Sequence, residues 1–271
     1  MVHRPLRKIR LTERAEATYG RWLGELEEQL SDPAHDRYLL CRETLFDMYY
    51  PRLGTYEDLV ADPTVSSATR SVLLALDPHN VTLEPEYYAE IDAERYAKVK
   101  PLLWLWQSFD RSPVGAGNVD LGVRLRRVLA KHIFSRCGQR FKCFQHVEFS
   151  FGYNMEVGDD VVIHRHVLLD DRGGIVMGNR VSVADYANIY SHTHALDDQV
   201  DVAHAKVRLD DGVRITYHAT VLAGVHLGEQ AMLGSCAVLT KDAKPWHLYV
   251  GVPAKAVRAK PNAPPEVLAD G

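Results

Sequence analysis

The apolar positions of this chain follow two different rules. Up to about residue 136 they recur at helical spacing. Leu121, Leu125, Val128, Leu129, His132 and Ile133 share one face of a predicted helix, with Arg124, Arg126, Arg127 and Lys131 on the others. Residues 13–30 form a second long, charged, amphipathic stretch. Pro51, Pro63, Pro78, Pro85, Pro101 and Pro113 punctuate the region into short segments, and residues 112–118, rich in Gly, read as a loop.

From about Phe151 the period becomes six. Val157, Ile163, Leu169, Met177, Val183 and Ile189 form one series, and Leu209, Ile215, Val221, Leu227, Leu233 and Leu239 resume it. A second, mostly small or β-branched residue precedes each next repeat by two, as at Val161, Val167, Val181, Ala187, Thr193, Val213, Ala219, Val225, Ala231, Ala237 and Ala243. Six fits neither a helix nor a half-buried strand. It fits one face of a three-sided coil whose repeated aliphatic points inward, with coils stacked at parallel-strand spacing. The expected coils are 157–174, 177–194, 209–226 and 227–244. A slip at 175–176 and a longer break at 195–208 both fall between coils, so each reads as a loop leaving a corner. The expected fold class is α+β: a helical domain over 1–140, a single-stranded parallel β-helix over 141–250, and a tail over 251–271.

Composition adds little to this picture and excludes some classes. The 271 residues are 46% apolar and 25% charged, with net charge −4. Residues 1–140 carry 20 basic and 20 acidic residues, the remainder 12 and 16. Neither part is strongly basic, so a nucleic-acid partner has little electrostatic support. Between Leu121 and Val147 seven Lys or Arg occur with no acid. That stripe would suit an anionic ligand or a membrane surface, or it is a solvated helix face packed on the β-helix mouth; the latter is the expectation. Cys41, Cys137, Cys143 and Cys236 form no CxxC pair and read as free thiols. The first residues lack an apolar signal core, and the longest dense apolar run, 101–106, is far too short to span a bilayer. A cytoplasmic location with no membrane contact is the expectation.

Three stretches carry a family resemblance. Residues 151–158 (FGYNMEVG), 189–197 (IYSHTHALD) and 239–242 (LTKD) followed by 251–258 (GVPAKAVR) resemble the hexapeptide-repeat acyltransferase superfamily, and within it the maltose and galactoside O-acetyltransferase branch. The resemblance covers roughly 145 to 260 and leaves the first 136 residues outside. It implies a left-handed β-helix, acetyl-CoA or another acyl-CoA as co-substrate, no metal, and a homotrimer with sites between prisms. The implied reaction is direct acyl transfer to a hydroxyl of a saccharide or sugar-containing acceptor.

Such a transfer needs a base for the hydroxyl, a donor for the tetrahedral oxyanion and both substrates held together. Histidine suits the first task, because its ordinary pKa lies near working pH. His194 ends the coil before the long break and aligns with the family's catalytic His. His192, two residues earlier, is its rival or its orienting partner. Asp170 and Asp171 lie about one coil before and are candidates for acceptor binding. His166 stands where the galactoside enzymes carry a sugar-contacting Asn. Ala223 and Gly224 are small enough to border a pantetheine arm. The resemblance implies CoA contacts at Tyr217, Ser235, Thr240 and Lys241, and Lys255 and Arg258 in the tail would meet phosphates. Arg214 stands where the family often has Trp. The pairs His164/His166 and His192/His194 keep a γ-carbonic-anhydrase-like zinc hydratase in view. A non-enzymatic β-helix scaffold is another alternative, as is N-transfer to an amino-sugar.

Overall fold

A computed structural model of the chain describes residues 10–112, 114–115, 117–198 and 200–269. Pro113 and Ala116 of the 112–118 loop and Gln199 of the long break lie outside the described residues.

Among the described residues six α-helices precede the coil: α1 (Glu13–Ser31), α2 (Arg37–Tyr49), α3 (Tyr56–Ala61), α4 (Ser67–Leu74), α5 (Ala93–Arg111) and α6 (Val119–Ile133). Each starts on a polar cap whose side chain accepts an otherwise unpaired backbone N–H: Thr12, Asp36, Thr55, Ser66, Asp92 and Asn118. Pro101 does not end its segment; it lies inside α5. Its neighbours Leu102, Leu103, Leu105, Trp106 and Phe109 are all buried, and their packing outweighs the lost helical hydrogen bond.

The coil is a three-faced prism of parallel strands. Face one stacks Arg136–Cys137, Met155–Val157, Ile175–Met177, Val207–Leu209 and His226–Leu227. Face two starts at Lys142–Cys143 and face three at Glu148–Phe149, and both climb in the same order. All twelve aliphatics of the two hexad series are at most 1% exposed. The corner between faces two and three turns through residues in the left-handed region: His146, His166, Tyr186 and His218 have φ of 57–62°. Their rings stack from coil to coil at 4.8–4.9 Å between centroids, which offsets the backbone cost at these non-glycine positions. This is the three-sided parallel coil that the six-residue period predicts.

The coil begins earlier than the hexad series suggests. Cys137, Cys143 and Phe149 occupy inward positions six apart, with Phe141 and Val147 filling the second position. This turn abuts helices rather than another coil, so larger rings fill it. Phe149 meets Trp106 at 5.1 Å and Phe134 at 5.4 Å between ring centroids. The helical region thus covers the open end of the prism and its unpaired inward surface. At the other end the 251–258 segment turns back, and Lys255–Ala259 pairs antiparallel with His247–Val250 to finish face two.

Four of the seven basic residues of the stripe are tied to neighbouring parts of the fold. Arg126 is buried against Asp110, Arg127 Nε donates to Phe141 O at 2.7 Å, Arg124 pairs with Glu16 at 2.9 Å, and Lys131 pairs with Glu27. The acids come from α1 and α5, which is why the stripe looks unpaired in sequence. All four cysteines are free thiols. Among the described residues, no helix is long and apolar enough to cross a membrane.

Candidate active site

The corner between faces three and one carries the long break. On its third passage the chain leaves face three after Tyr190 and departs from the prism. His192–His194 pairs antiparallel with Val202–His204, and the chain rejoins face one at Val207. The excursion therefore starts at His192, three residues before the expected break at 195. Thr193, expected to point inward, is exposed on this hairpin.

The root of the hairpin is tightly held. Ser191 is fully buried; its Oγ donates to Asp170 O at 2.5 Å and accepts from Gly173 N at 2.8 Å, and its carbonyl accepts from Ala205 N at 2.9 Å. Both ends of the hairpin thus converge over Gly173. A Cβ at Gly173 would lie 2.3 Å from Ser191 O and 2.8 Å from Ala205 N. Gly173→Ala is expected to destabilise the fold by about 1–3 kcal/mol, read as a lower urea midpoint. Gly24→Ala in α1, where a Cβ meets nothing within 4 Å, should be neutral or stabilising.

Alternation places His192 and His194 on one face of their strand, with His204 directly across from His192. His192 Nδ1 donates to Asp170 Oδ2, so the carboxylate fixes the ring and, in the neutral imidazole, leaves Nε2 as the basic nitrogen. Asp170 is 4% exposed, and its other oxygen accepts from Ser150 Oγ at 3.1 Å and Arg172 N at 3.3 Å. His194 is exposed, and its ring meets that of His192 at 83° and 5.2 Å. An oriented imidazole beside a second one, on a rigid root, is equipped to move a proton.

Asp171 does not join this group. It is fully buried and accepts from Phe151 N at 2.7 Å and Asn154 N at 3.2 Å, so it braces the turn of the coil below and is closed to a substrate. Desolvation pushes its carboxyl up to about 6, against the lowering effect of those backbone donors.

The remaining candidates divide by corner. Ala223, Gly224, Thr240 and Lys241 share the corner of the histidine hairpin, and Gly224, with φ of 78°, lies under Ala205 at its return. His166 sits at the corner between faces two and three, stacked between His146 and Tyr186. Tyr217 and Ser235 lie at that same second corner, linked where Cys236 N donates to Tyr217 O. Within one chain these do not meet His192 or His194. The two H-x-H pairs are separated in the same way, His164 stacking on Phe144 at 5.1 Å. Among the described residues, no group of three His, Cys, Asp or Glu is placed to hold a metal ion. Lys255 and Arg258 are exposed on the terminal strand.

A cavity of about 600 Å³ opens between the helical region and this corner, lined among others by Glu90, Arg95, Tyr153, Arg172, His204 and Lys206. Sequence reasoning missed these side chains. Those contributed by the coil sit in corners, where the hexad imposes no residue type, and Glu90 and Arg95 come from a region with no motif.

No family model matches the chain. It is 31% identical over 118 residues to a putative acetyltransferase of Schizosaccharomyces pombe, a match covering 42% of this chain and 57% of that protein. It is 23% identical over 140 residues to the galactoside O-acetyltransferase of Escherichia coli, covering 50% and 69%. The chain thus spans little more than half the length of the first of these relatives. Among solved structures, a hexapeptide-repeat-containing acetyltransferase of Vibrio cholerae, complexed with acetyl coenzyme A, superposes with a TM-score of 0.55 at 20% identity, over 68% of this chain and 98% of that one. At that identity the likeness speaks for the fold. The chain is thus similar to acetyltransferases over about half its length and shares the fold of a hexapeptide-repeat-containing acetyltransferase.

Proposed function

We propose that the protein is an acetyl-CoA-dependent O-acetyltransferase acting on a hydroxyl of a saccharide or sugar-containing acceptor. The observation that carries this reading is the histidine hairpin, in which Asp170 holds His192 against His194 at one corner of the coil. The galactoside O-acetyltransferase relative and the acetyl-CoA-bound fold neighbour support the choice of reaction and donor.

In this reading His194 takes the proton of the acceptor hydroxyl as its oxygen attacks the thioester carbonyl. The tetrahedral oxyanion meets a backbone amide. Collapse expels the CoA sulfur, which recovers the proton from the imidazolium. The His192–Asp170 pair holds the His194 ring in place. The acceptor enters through the 600 Å³ cavity, whose walls come from both the coil and the helical region.

The residues present fit CoA on one condition. Ala223, Gly224, Thr240 and Lys241 lie at one corner, Tyr217 and Ser235 at another, so one groove uses both sets only between neighbouring prisms. A homotrimer meets that condition, with His166 and Tyr217 of one chain facing the hairpin of the next and Lys255 and Arg258 near the phosphates. The test combines light scattering with an acetyl-transfer assay over a saccharide panel. A trimer that transfers to a hydroxyl is expected. A monomer, or a protein whose melting temperature acetyl-CoA does not raise, would overturn the reading.

A further inference from the structure

We infer that Glu90, from the helical region, is a positioning residue that clamps the histidine hairpin onto the coil. This deepens the function proposed above and rests on it. Glu90 lies in the segment between Tyr87 and α5. One of its oxygens, Oε1, accepts from Arg172 Nε and from His204 Nε2, the latter at 3.1 Å. Arg172 belongs to the coil corner that bears Asp170, and its own backbone N–H donates to Asp170 Oδ1. His204 belongs to the returning strand and faces His192 across the hairpin. A single carboxylate therefore ties the outgoing strand's anchor to the returning strand.

The geometry explains why a clamp is needed. An isolated two-stranded hairpin is marginal in water. The outgoing strand is held by Asp170 on His192, and the returning strand by Glu90 on His204. The segment bearing Glu90 is itself fastened. Asp92 N donates to Tyr153 Oη at 3.0 Å, Arg95 Nη2 donates to Tyr153 O at 2.6 Å, and the Arg172 guanidinium rests 4.2 Å over the Tyr88 ring. The Arg172 side chain is 8% exposed and that of Glu90 26%, so water competes weakly for this pair. The helical region thereby acts on the site while contributing neither histidine.

Hydrogen exchange of the full-length protein tests this, comparing peptides over 192–206 with coil peptides over 209–239. Glu90→Ala and His204→Ala are both expected to speed exchange of the hairpin by roughly tenfold or more while leaving the coil unchanged. Transfer assays on the same variants should show kcat down by about 10–100-fold, with KM for acetyl-CoA within about twofold of wild type. Glu90→Gln, which keeps an acceptor for both donors, should recover most of the protection. His204→Ala is the decisive variant, because it cuts the hairpin link and spares the Glu90–Arg172 pair. Unchanged hairpin exchange in His204→Ala overturns the inference even if Glu90→Ala fails to fold. Faster exchange in Glu90→Ala alone also overturns it, since Arg172 would then be the cause. Exchange is read without turnover, so a wild-type protein that transfers no acetyl group defeats the proposed function and leaves the clamp to be decided by exchange.

Discussion

His194→Ala is expected to lower kcat for acetyl transfer by about 10²–10⁴-fold, the range for loss of a general base, with acetyl-CoA affinity changed by no more than about twofold. Removing one exposed ring leaves the coil and the small residues of the groove untouched, so binding should survive. His192→Ala is expected to cost less, about tenfold, because that ring is the one held by Asp170 and, in the proposed mechanism, fixes its neighbour. Asp170→Asn should behave like His192→Ala, since both release the same contact. The competing assignment makes the opposite prediction. If His192 were the base, His192→Ala and Asp170→Asn would suffer the large loss and His194→Ala the small one. Steady-state kinetics on the three variants, with CoA binding measured separately by calorimetry, separates the two. Full activity in His194→Ala would remove it from the chemistry.

Arg126→Ala is expected to destabilise the protein by about 3–5 kcal/mol, the usual cost of stranding one member of a buried ion pair. Arg126 is 2% exposed and Asp110 3%. Arg126 Nη2 donates to Asp110 Oδ1 and Nη1 to Cys143 O at 3.2 Å, while His146 N donates to Asp110 Oδ2 at 2.7 Å. One pair thus joins α5, α6 and the first coil. Without Arg126, the buried Asp110 carboxyl keeps a single backbone donor, His146 N. The urea midpoint should fall accordingly. The double variant Asp110→Leu/Arg126→Leu should recover part of the loss, since it leaves no lone buried charge. Equal losses in the single and double variants would mean that packing, not charge, decides stability there.

How much of this was legible beforehand depended on the kind of constraint. The inward positions of the coil were legible because burial repeats them every six residues, as at Val157, Ile163 and Leu169. The expected start at 141 missed only the Arg136–Cys137 strand, and the hexad series did not reach the first turn because Cys137, Cys143 and Phe149 meet helices rather than another coil. His192 and His194 stood out by residue type and by their place at the break, and Asp170 by its position one coil below. Asp171 looked equivalent to Asp170. Only the coordinates reveal that one carboxyl turns out to an imidazole and the other inward to a turn. The partners of the basic stripe were hidden in the same way, Glu16 and Glu27 lying about a hundred residues away in α1 and Asp110 in α5.

By itself the sequence determined the architecture: a helical region, then a β-helix whose period of six forces three faces and an inward aliphatic on each. Periodic burial is a local rule, written into every repeat. Tertiary structure alone decided the corners, where residues far apart in sequence meet. It put Glu90 on His204, Asp110 on Arg126, and split the CoA-side candidates between two edges of one prism. Corner side chains are held by charge and hydrogen bonds across coils and helices, and no period records which distant partner each will find.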